Sequence, residues 1–119
     1  MEVCAERLGR IKRACDAVGA RLELVLVPAA VQVCGPERHE CFPAYFDPRE
    51  SSAYDPERPQ RDYREMARTL GVDAIDLREP LRSAGRCVHW PRNMHWTRDG
   101  HEIVAAYLAE RLSAPASPR

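Results

Sequence analysis

The sequence predicts an α/β fold, namely a partial three-layer α/β/α arrangement around a short parallel sheet. Two short aliphatic runs carry this prediction, LELVLVP at residues 22–28 and VDAIDL at residues 72–77. The first run shows no polar alternation, which is typical of a strand covered on both faces. Helical periodicity flanks both runs, and such alternation predicts parallel strands joined by right-handed crossovers. RCVHW at residues 86–90 is a candidate third strand.

The first predicted element is a helix over residues 2–18. Its apolar positions recur at spacings of three and four and so form one stripe: Cys4, Leu8, Ile11, Cys15 and Val18. Gly19 follows the stripe and favours a left-handed helix end. The thiols of Cys4 and Cys15 are therefore expected to be small buried groups.

Periodicity is lost between residues 29 and 59, and six of the ten prolines lie from Pro28 to Pro59. Loops of this length are usually functional or mobile, so a substrate lid and a solvated insertion both stay open. The aromatic side chains of this loop are expected to pack on the body of the domain: Phe42, Tyr45, Phe46 and Tyr54. A disulfide between Cys34 and Cys41 could close part of the loop in an oxidising compartment.

Three further elements follow the loop. A second helix is predicted over residues 60–70, ending at Gly71, with this shared apolar face: Tyr63, Met66, Ala67 and Leu70. After VDAIDL, LREPLRSAG predicts a brief helix or turn. Thr97 is expected to cap a final helix, with Asp99 in its first turn. The buried face predicted for that helix is Ile103, Val104, Tyr107, Leu108 and Leu112.

Size and charge limit the function classes. The chain has 119 residues, so one domain is expected over residues 1–112, followed by a disordered tail over 113–119. Eighteen basic residues balance eighteen acidic ones, so the chain lacks the net positive charge that is typical of nucleic-acid-binding domains. No apolar run approaches the roughly 20 residues that span a membrane, and no signal core is visible. Nucleic acid and membrane are therefore not expected as partners, and the cytoplasm is the default compartment.

Three stretches, taken in order, resemble the SGNH (GDSL-like) hydrolase superfamily. They are VLVPAAVQV, GVDAIDLREPLR and NMHWTRDGHEIVAAYLAERL. The likeness covers residues 5–112, which correspond to the C-terminal half of a family domain. NMHWTRDGH resembles the block that holds the catalytic histidine, which in many members reads Asp-x-His-Trp-Thr/Asn-x-x-Gly-His.

The resemblance implies a flavodoxin-like three-layer α/β/α fold and an ester hydrolase or acyltransferase activity without a cofactor or metal. It places His95 on the catalytic base, Thr97 on the helix entry and Gly100 where the last helix passes close to its neighbours. The implied substrate is an acyl ester or an acetylated sugar. The candidate substrate-binding residues are Trp96, Trp90 and Tyr45, with packing as the alternative role for both tryptophans.

Two departures from the family pattern stand out. Asn93 occupies the position where the motif usually has aspartate, so it can orient an imidazole but cannot stabilise the imidazolium by charge. No Gly-Asp-Ser block, G-x-S-x-G or Gly-x-Asn-Asp is present. None of the five serines follows a strand and opens a helix, which is the setting that exposes a nucleophile. The chain is therefore expected to be inactive alone.

Two alternatives from other function classes remain. One is a catalytically silent domain that binds a ligand or a protein. The other is a zinc-binding module, because C-x-H-x5-H-x5-H supplies soft and imidazole ligands at Cys87, His89, His95 and His101. A short sheet also leaves unpaired strand edges, so a homodimer, or completion of the sheet by a neighbouring domain, is expected.

Overall fold

The structure is a computed structural model that describes residues 1–35 and 54–113. Its elements in chain order are α1 (Glu2–Ala17), β1 (Glu23–Leu26), α2 (Ala30–Val33), α3 (Arg58–Leu70), β2 (Asp73–Asp76), α4 (Arg78–Arg82) and α5 (Arg98–Ser113). The prediction of a mixed α/β fold is confirmed. The expectations for Cys41, Tyr45 and most of the C-terminal tail lie outside the described residues.

The described residues form two compact units, and each unit combines separate parts of the chain. Unit one contains residues 1–27 and 55–76, and unit two contains residues 28–35, 54 and 77–113. The single domain predicted over residues 1–112 stays a prediction. Within the described ranges, the helices are all too short or too polar to cross a lipid bilayer.

Unit one is built on the parallel pairing of β1 with β2. Leu24 lies opposite Ala74 and Val25 opposite Ile75 in the register, so the two predicted strands are indeed parallel neighbours. The helix α3 packs against both strands and against α1. Its Met66 and Ala67 are buried, as the predicted apolar face requires.

The ends of α3 follow from its sequence. Pro59 lies in the first turn, where its missing N–H removes no helical hydrogen bond. Gly71 ends the helix with a left-handed φ of 63°, which glycine adopts without the strain that a Cβ would add. The chain then enters β2, whose last residue, Asp76, is buried and pairs with Arg64 at 3.1 Å.

The predicted apolar stripe of α1 is not the face that the structure buries. Gly9 is the buried residue of this helix, whereas Ile11 and Val18 are 51% and 78% exposed. The burial prediction for the Cys4 thiol was therefore wrong, because Cys4 is exposed. The physical reason is close approach: a Cβ on Gly9 would already lie 3.5 Å from Leu70 Cδ2, so the helix packs through its smallest residue.

Unit two has a small aliphatic core. Its buried apolar residues are Ala30, Leu77, Leu81, Val88 and Val104. The helix α4 packs against both α2 and α5. RCVHW, the candidate third strand, forms no strand and contributes an isolated antiparallel bridge from His89 to Trp96.

Replacing Leu81 tests this core. Leu81 is 1% exposed and Leu112 is 47% exposed, so the two leucines form a matched pair for truncation. We expect Leu81→Ala to lower the free energy of unfolding by about 2–4 kcal/mol, and Leu112→Ala by less than about 1 kcal/mol. Chemical denaturation followed by circular dichroism measures both losses. Equal losses would contradict the burial described for unit two.

Candidate functional site

The candidate base lies on a short turn that we call the His95 loop, residues 90–97. The N–H of Trp90 donates to the carbonyl of His95 at 3.0 Å, which closes the turn. Trp96, near the end of the loop, forms an antiparallel bridge with His89, which directly precedes the loop. The loop therefore has a defined backbone, and it holds His95 at the surface, where this residue is exposed.

Asn93 holds the backbone of this loop. Its side-chain oxygen Oδ1 accepts a hydrogen bond from the backbone N–H of His95 at 2.9 Å. This arrangement is an Asx turn, in which the Asn side chain accepts a hydrogen bond from the backbone N–H of the residue two positions later. Orientation of the His95 imidazole by Asn93 stays a prediction, since the contact in the structure is to the backbone.

Thr97 joins the loop to α5 as the sequence predicts. Its hydroxyl accepts a hydrogen bond from the N–H of Gly100 at 3.3 Å, which satisfies one of the amides that a helix leaves free in its first turn. The same hydroxyl donates to the carbonyl of Val88 at 3.1 Å. The N–H of Thr97 also donates to that carbonyl, at 2.8 Å.

Gly100 provides the close approach that the resemblance implied. A Cβ at this position would lie 2.8 Å from the Val88 carbonyl oxygen and 2.9 Å from Trp96 Cβ. The first is a backbone atom and the second is the β-carbon of Trp96, so neither is the far end of a flexible side chain. The first turn of α5 therefore packs directly on the segment that precedes the His95 loop, and only a residue without a side chain fits there.

The two candidate tryptophans have different surroundings. Trp90 is 53% exposed and lines an open recess with Pro91, Arg92 and Asn93. Trp96 is half-buried, and its ring meets that of His101 edge-on at 5.4 Å, so its contacts are those of a packing residue. A larger apolar recess in unit one, between α1 and α3, contains none of the candidate site residues that the structure describes.

No serine in the described ranges stands where a nucleophile is needed. Ser83 lies at the C-terminal end of α4, and Ser113 is the last residue of α5. Neither follows a strand and opens a helix. Ser51, Ser52 and Ser117 lie outside the described residues.

A second cluster in unit two joins Cys87 and His89, which the sequence pattern singled out, to Cys34, which that pattern did not include. Cys34 pairs with Cys87 in a disulfide whose Cα atoms are 4.8 Å apart, so Cys34 is not free for the pairing with Cys41 that the sequence left open. His89 places Nδ1 3.6 Å from Cys34 Sγ. Cys34, Cys87 and His89 form a group of potential metal ligands whose ligand atoms all lie within 4.8 Å of one another.

His89 is the most deeply buried member of this cluster, with 2% exposure. Burial lowers the pKa of its imidazole, because a low-dielectric site disfavours the charged form. Its Nε2 has no hydrogen-bond partner within the described ranges. His95 and His101 are not members of the group, which shares only Cys87 and His89 with the zinc pattern that the sequence left open as an alternative. Spacing could not reveal Cys34, which comes from a distant part of the chain.

The chain was also compared with protein-family models, with curated proteins and with solved structures, and none of them matched. Its functional interpretation therefore depends on two local features of unit two. These are the His95 loop, with an exposed imidazole on a defined backbone, and the cluster of Cys34, Cys87 and His89.

Adding one methyl group at Gly100 tests how tightly α5 packs on the loop. Gly100→Ala is expected to lower the free energy of unfolding by about 1–3 kcal/mol, because the added Cβ would lie too close to the Val88 carbonyl oxygen and to Trp96 Cβ. Gly9→Ala is the matched control. Its Cβ would meet Leu70 Cδ2 at an ordinary 3.5 Å, so the better helix propensity of alanine should raise stability by about 0.5–1 kcal/mol. We expect thermal denaturation to show a lower stability for Gly100→Ala and a higher stability for Gly9→Ala. Stability changes of the same sign would contradict the close approach at Gly100.

Proposed function

We propose that this chain is an SGNH-hydrolase-like module that contributes the histidine loop of an ester-cleaving or acyl-transferring site. In this proposal the serine nucleophile comes from another protein segment. The observation that carries the proposal is the His95 loop itself, with an exposed imidazole, a capping Thr97 and a close-packed Gly100. Each of these features agrees with the role that the resemblance to the histidine block implies for that position.

The proposed reaction assigns one proton-transfer role to this chain. A serine hydroxyl on the other segment attacks the ester carbonyl, and the His95 imidazole accepts the hydroxyl proton. The imidazole then returns that proton to the leaving alcohol, which leaves an acyl-serine for transfer to water or to another hydroxyl. Asn93 supports the reaction by bonding to the backbone of His95 and so fixing the loop.

The recess beside His95 agrees with an acyl ester or an acetylated sugar as substrate. Trp90 presents an exposed indole there, and such a ring combines a large apolar face with an N–H donor. Arg92 and Asn93 line the same recess and add polar groups for hydroxyl or carbonyl oxygens. Tyr45 remains the third proposed substrate contact.

The isolated chain is expected not to hydrolyse esters. General-base help is worth about 10²- to 10⁴-fold, but only when a nucleophile lies within hydrogen-bond reach of the base. Each missing oxyanion donor costs a further factor of about 10² to 10³. Turnover of an activated aryl acetate should therefore be near background, and equal, for the native protein, Asn93→Asp and His95→Ala.

The matched control for this assay is His101→Ala, which removes a second exposed histidine of the same unit. A rate that needs His95 but not His101, and that rises in Asn93→Asp, would contradict the expected inactivity and reveal a nucleophile within the chain. A serine block encoded beside this chain would favour completion of the active site. A stable monomer without such a block would favour the alternative, a domain that only binds a ligand or a protein.

Self-association is the second part of the proposal. Among the described residues, the sheet has two strands, and each keeps an edge that the other strand does not cover. Free edges pair with available strands. The exposed apolar positions of α1, among them Val3, Ile11 and Val18, add apolar surface whose burial would stabilise an interface.

We expect a homodimer in sedimentation velocity experiments. Ile11→Glu should weaken this dimer at least about tenfold, because it places a charge in the apolar stripe. Ala17→Glu makes a similar change at an exposed position on another side of α1 and should have little effect. A monomer at all accessible concentrations, or equal effects of the two substitutions, would contradict this prediction.

A further inference from the structure

We infer that Cys34, Cys87 and His89 form a redox-controlled metal site that binds Zn²⁺ when the cysteines are reduced and releases it when they form a disulfide. The inference is independent of the proposed ester chemistry. It rests on three donors that the fold brings together, on contacts that hold them without the S–S bond, and on the spacing of sulfur and nitrogen.

The three donors come from two distant segments of unit two. Cys34 directly follows α2, and it lies 53 positions before Cys87. The donor atoms nevertheless converge to within 4.8 Å of one another. Two sulfurs and an imidazole are the donor set that suits Zn²⁺, and three protein ligands leave its fourth position open to water.

The Cys34 side of the site is held by hydrogen bonds that do not involve sulfur. The guanidinium of Arg82 donates twice to the backbone carbonyl of Gln32, at 2.9 and 2.6 Å. The side-chain oxygen of Gln32 accepts from the N–H of Ala29 at 2.8 Å, at the start of α2. Both ends of this short helix are therefore fixed by contacts that survive reduction of the disulfide.

The other side of the site is held in the same way. Val88 lies between Cys87 and His89, and its carbonyl accepts hydrogen bonds from both the N–H and the hydroxyl of Thr97. The close packing of Gly100 on that carbonyl restrains the same segment. The two sulfurs should therefore stay close after reduction, which preorganises the site for an ion.

The spacing between sulfur and nitrogen already fits a tetrahedral ion. Zn–S and Zn–N bonds of about 2.3 and 2.0–2.1 Å place the two donors about 3.5 Å apart across a tetrahedron. Cys34 Sγ and His89 Nδ1 are 3.6 Å apart. Once the bond between the two sulfurs is broken, they have to separate to about 3.8 Å. Cys87 Sγ, which lies within 4.8 Å of the His89 donor atom, has to approach it to about 3.5 Å.

His89 gives a second and independent reason to expect a ligand. Its ring is 2% exposed, it contacts sulfur through Nδ1, and its Nε2 has no partner in the described part of the chain. A buried polar group that lacks strong partners costs free energy. Coordination through Nδ1 would give this imidazole one strong bond.

The redox step balances with ordinary thiol chemistry. A dithiol gives two electrons and two protons to the Cys34–Cys87 disulfide and becomes a disulfide itself. Zn²⁺ then displaces the two thiol protons and binds two thiolates and the imidazole. In the reverse direction, a small disulfide takes two electrons from the thiolates and two protons from solvent, yielding two small thiols, the protein disulfide and free Zn²⁺. Both cysteines are half-buried rather than fully enclosed, so small thiol reagents can reach them.

The test compares two redox forms of the same protein. The native chain is reduced with a dithiol, freed of reductant without oxygen, incubated with Zn²⁺ and desalted before elemental analysis. We expect one zinc ion per chain in the reduced form and none in the oxidised form. With Co²⁺ as a spectroscopic probe, the reduced form should show thiolate-to-metal charge transfer. A small disulfide should then release the ion and restore the Cys34–Cys87 link, which peptide mapping by mass spectrometry identifies.

Variants separate this site from the other thiols and histidines. In a background with Cys4→Ser, Cys15→Ser and Cys41→Ser, the reduced chain should still bind one ion. Cys34→Ser, Cys87→Ser or His89→Gln should then weaken binding at least about a hundredfold, whereas His95→Gln should leave it unchanged. Circular dichroism checks that each variant is folded, and the two cysteine variants decide the result if His89→Gln does not fold. Absence of metal in the reduced native chain, equal uptake by the oxidised chain, or loss of binding in the triple-serine background would each overturn the inference.

Discussion

The carbonyl oxygen of Val88 is the contact on which the arrangement of unit two depends. It accepts hydrogen bonds from the backbone and the hydroxyl of Thr97, and Gly100 packs directly on it. The hydroxyl that binds this carbonyl also caps the first turn of α5, so helix entry and loop position are set together. One acceptor thus fixes the start of a helix, one end of the His95 loop and the peptide between Cys87 and His89. A change at this point would alter the candidate base and the cysteine cluster together.

Local sequence patterns were enough to predict the strands and the final helix. Of the buried face predicted for that helix, Val104 is buried, whereas Leu112 is exposed, contrary to the prediction. LELVLV and VDAIDL combine continuous aliphatic character with flanking helical periodicity, which is why their parallel pairing could be predicted. The end of α3 at Gly71 and the cap at Thr97 depend on residues that act within one helical turn. The buried side of α1 could not be predicted in this way. Periodicity identifies an apolar stripe, but a neighbouring helix can instead choose the side where Gly9 permits close approach.

The cysteine cluster shows the other limit of sequence reasoning. Cys87 and His89 could be recognised together because two positions separate them, whereas Cys34 enters the site through tertiary packing of α2 against α4. The hydrogen bonds from Arg82 to Gln32 help to hold this packing, and nothing in a spacing of fifty residues indicates that the two residues are in contact. The candidate base His95 was easier to find, since its motif is contiguous in sequence. Contiguous motifs are therefore visible from sequence alone, and sites assembled from distant segments are not.

The parallel pairing of β1 with β2 has a consequence for how the chain folds. Glu23 pairs with Asp73, so the two strands are fifty residues apart in sequence, and the cysteines of unit two are separated by a similar interval. Both units therefore depend on non-local contacts, which make folding slow because a long loop has to close before its contacts are gained. On the ribosome, Leu24 and Val25 emerge well before the residues that pair with them. During that interval the nascent chain exposes an aliphatic strand with no native partner, which makes this stage of synthesis the one most in need of a chaperone.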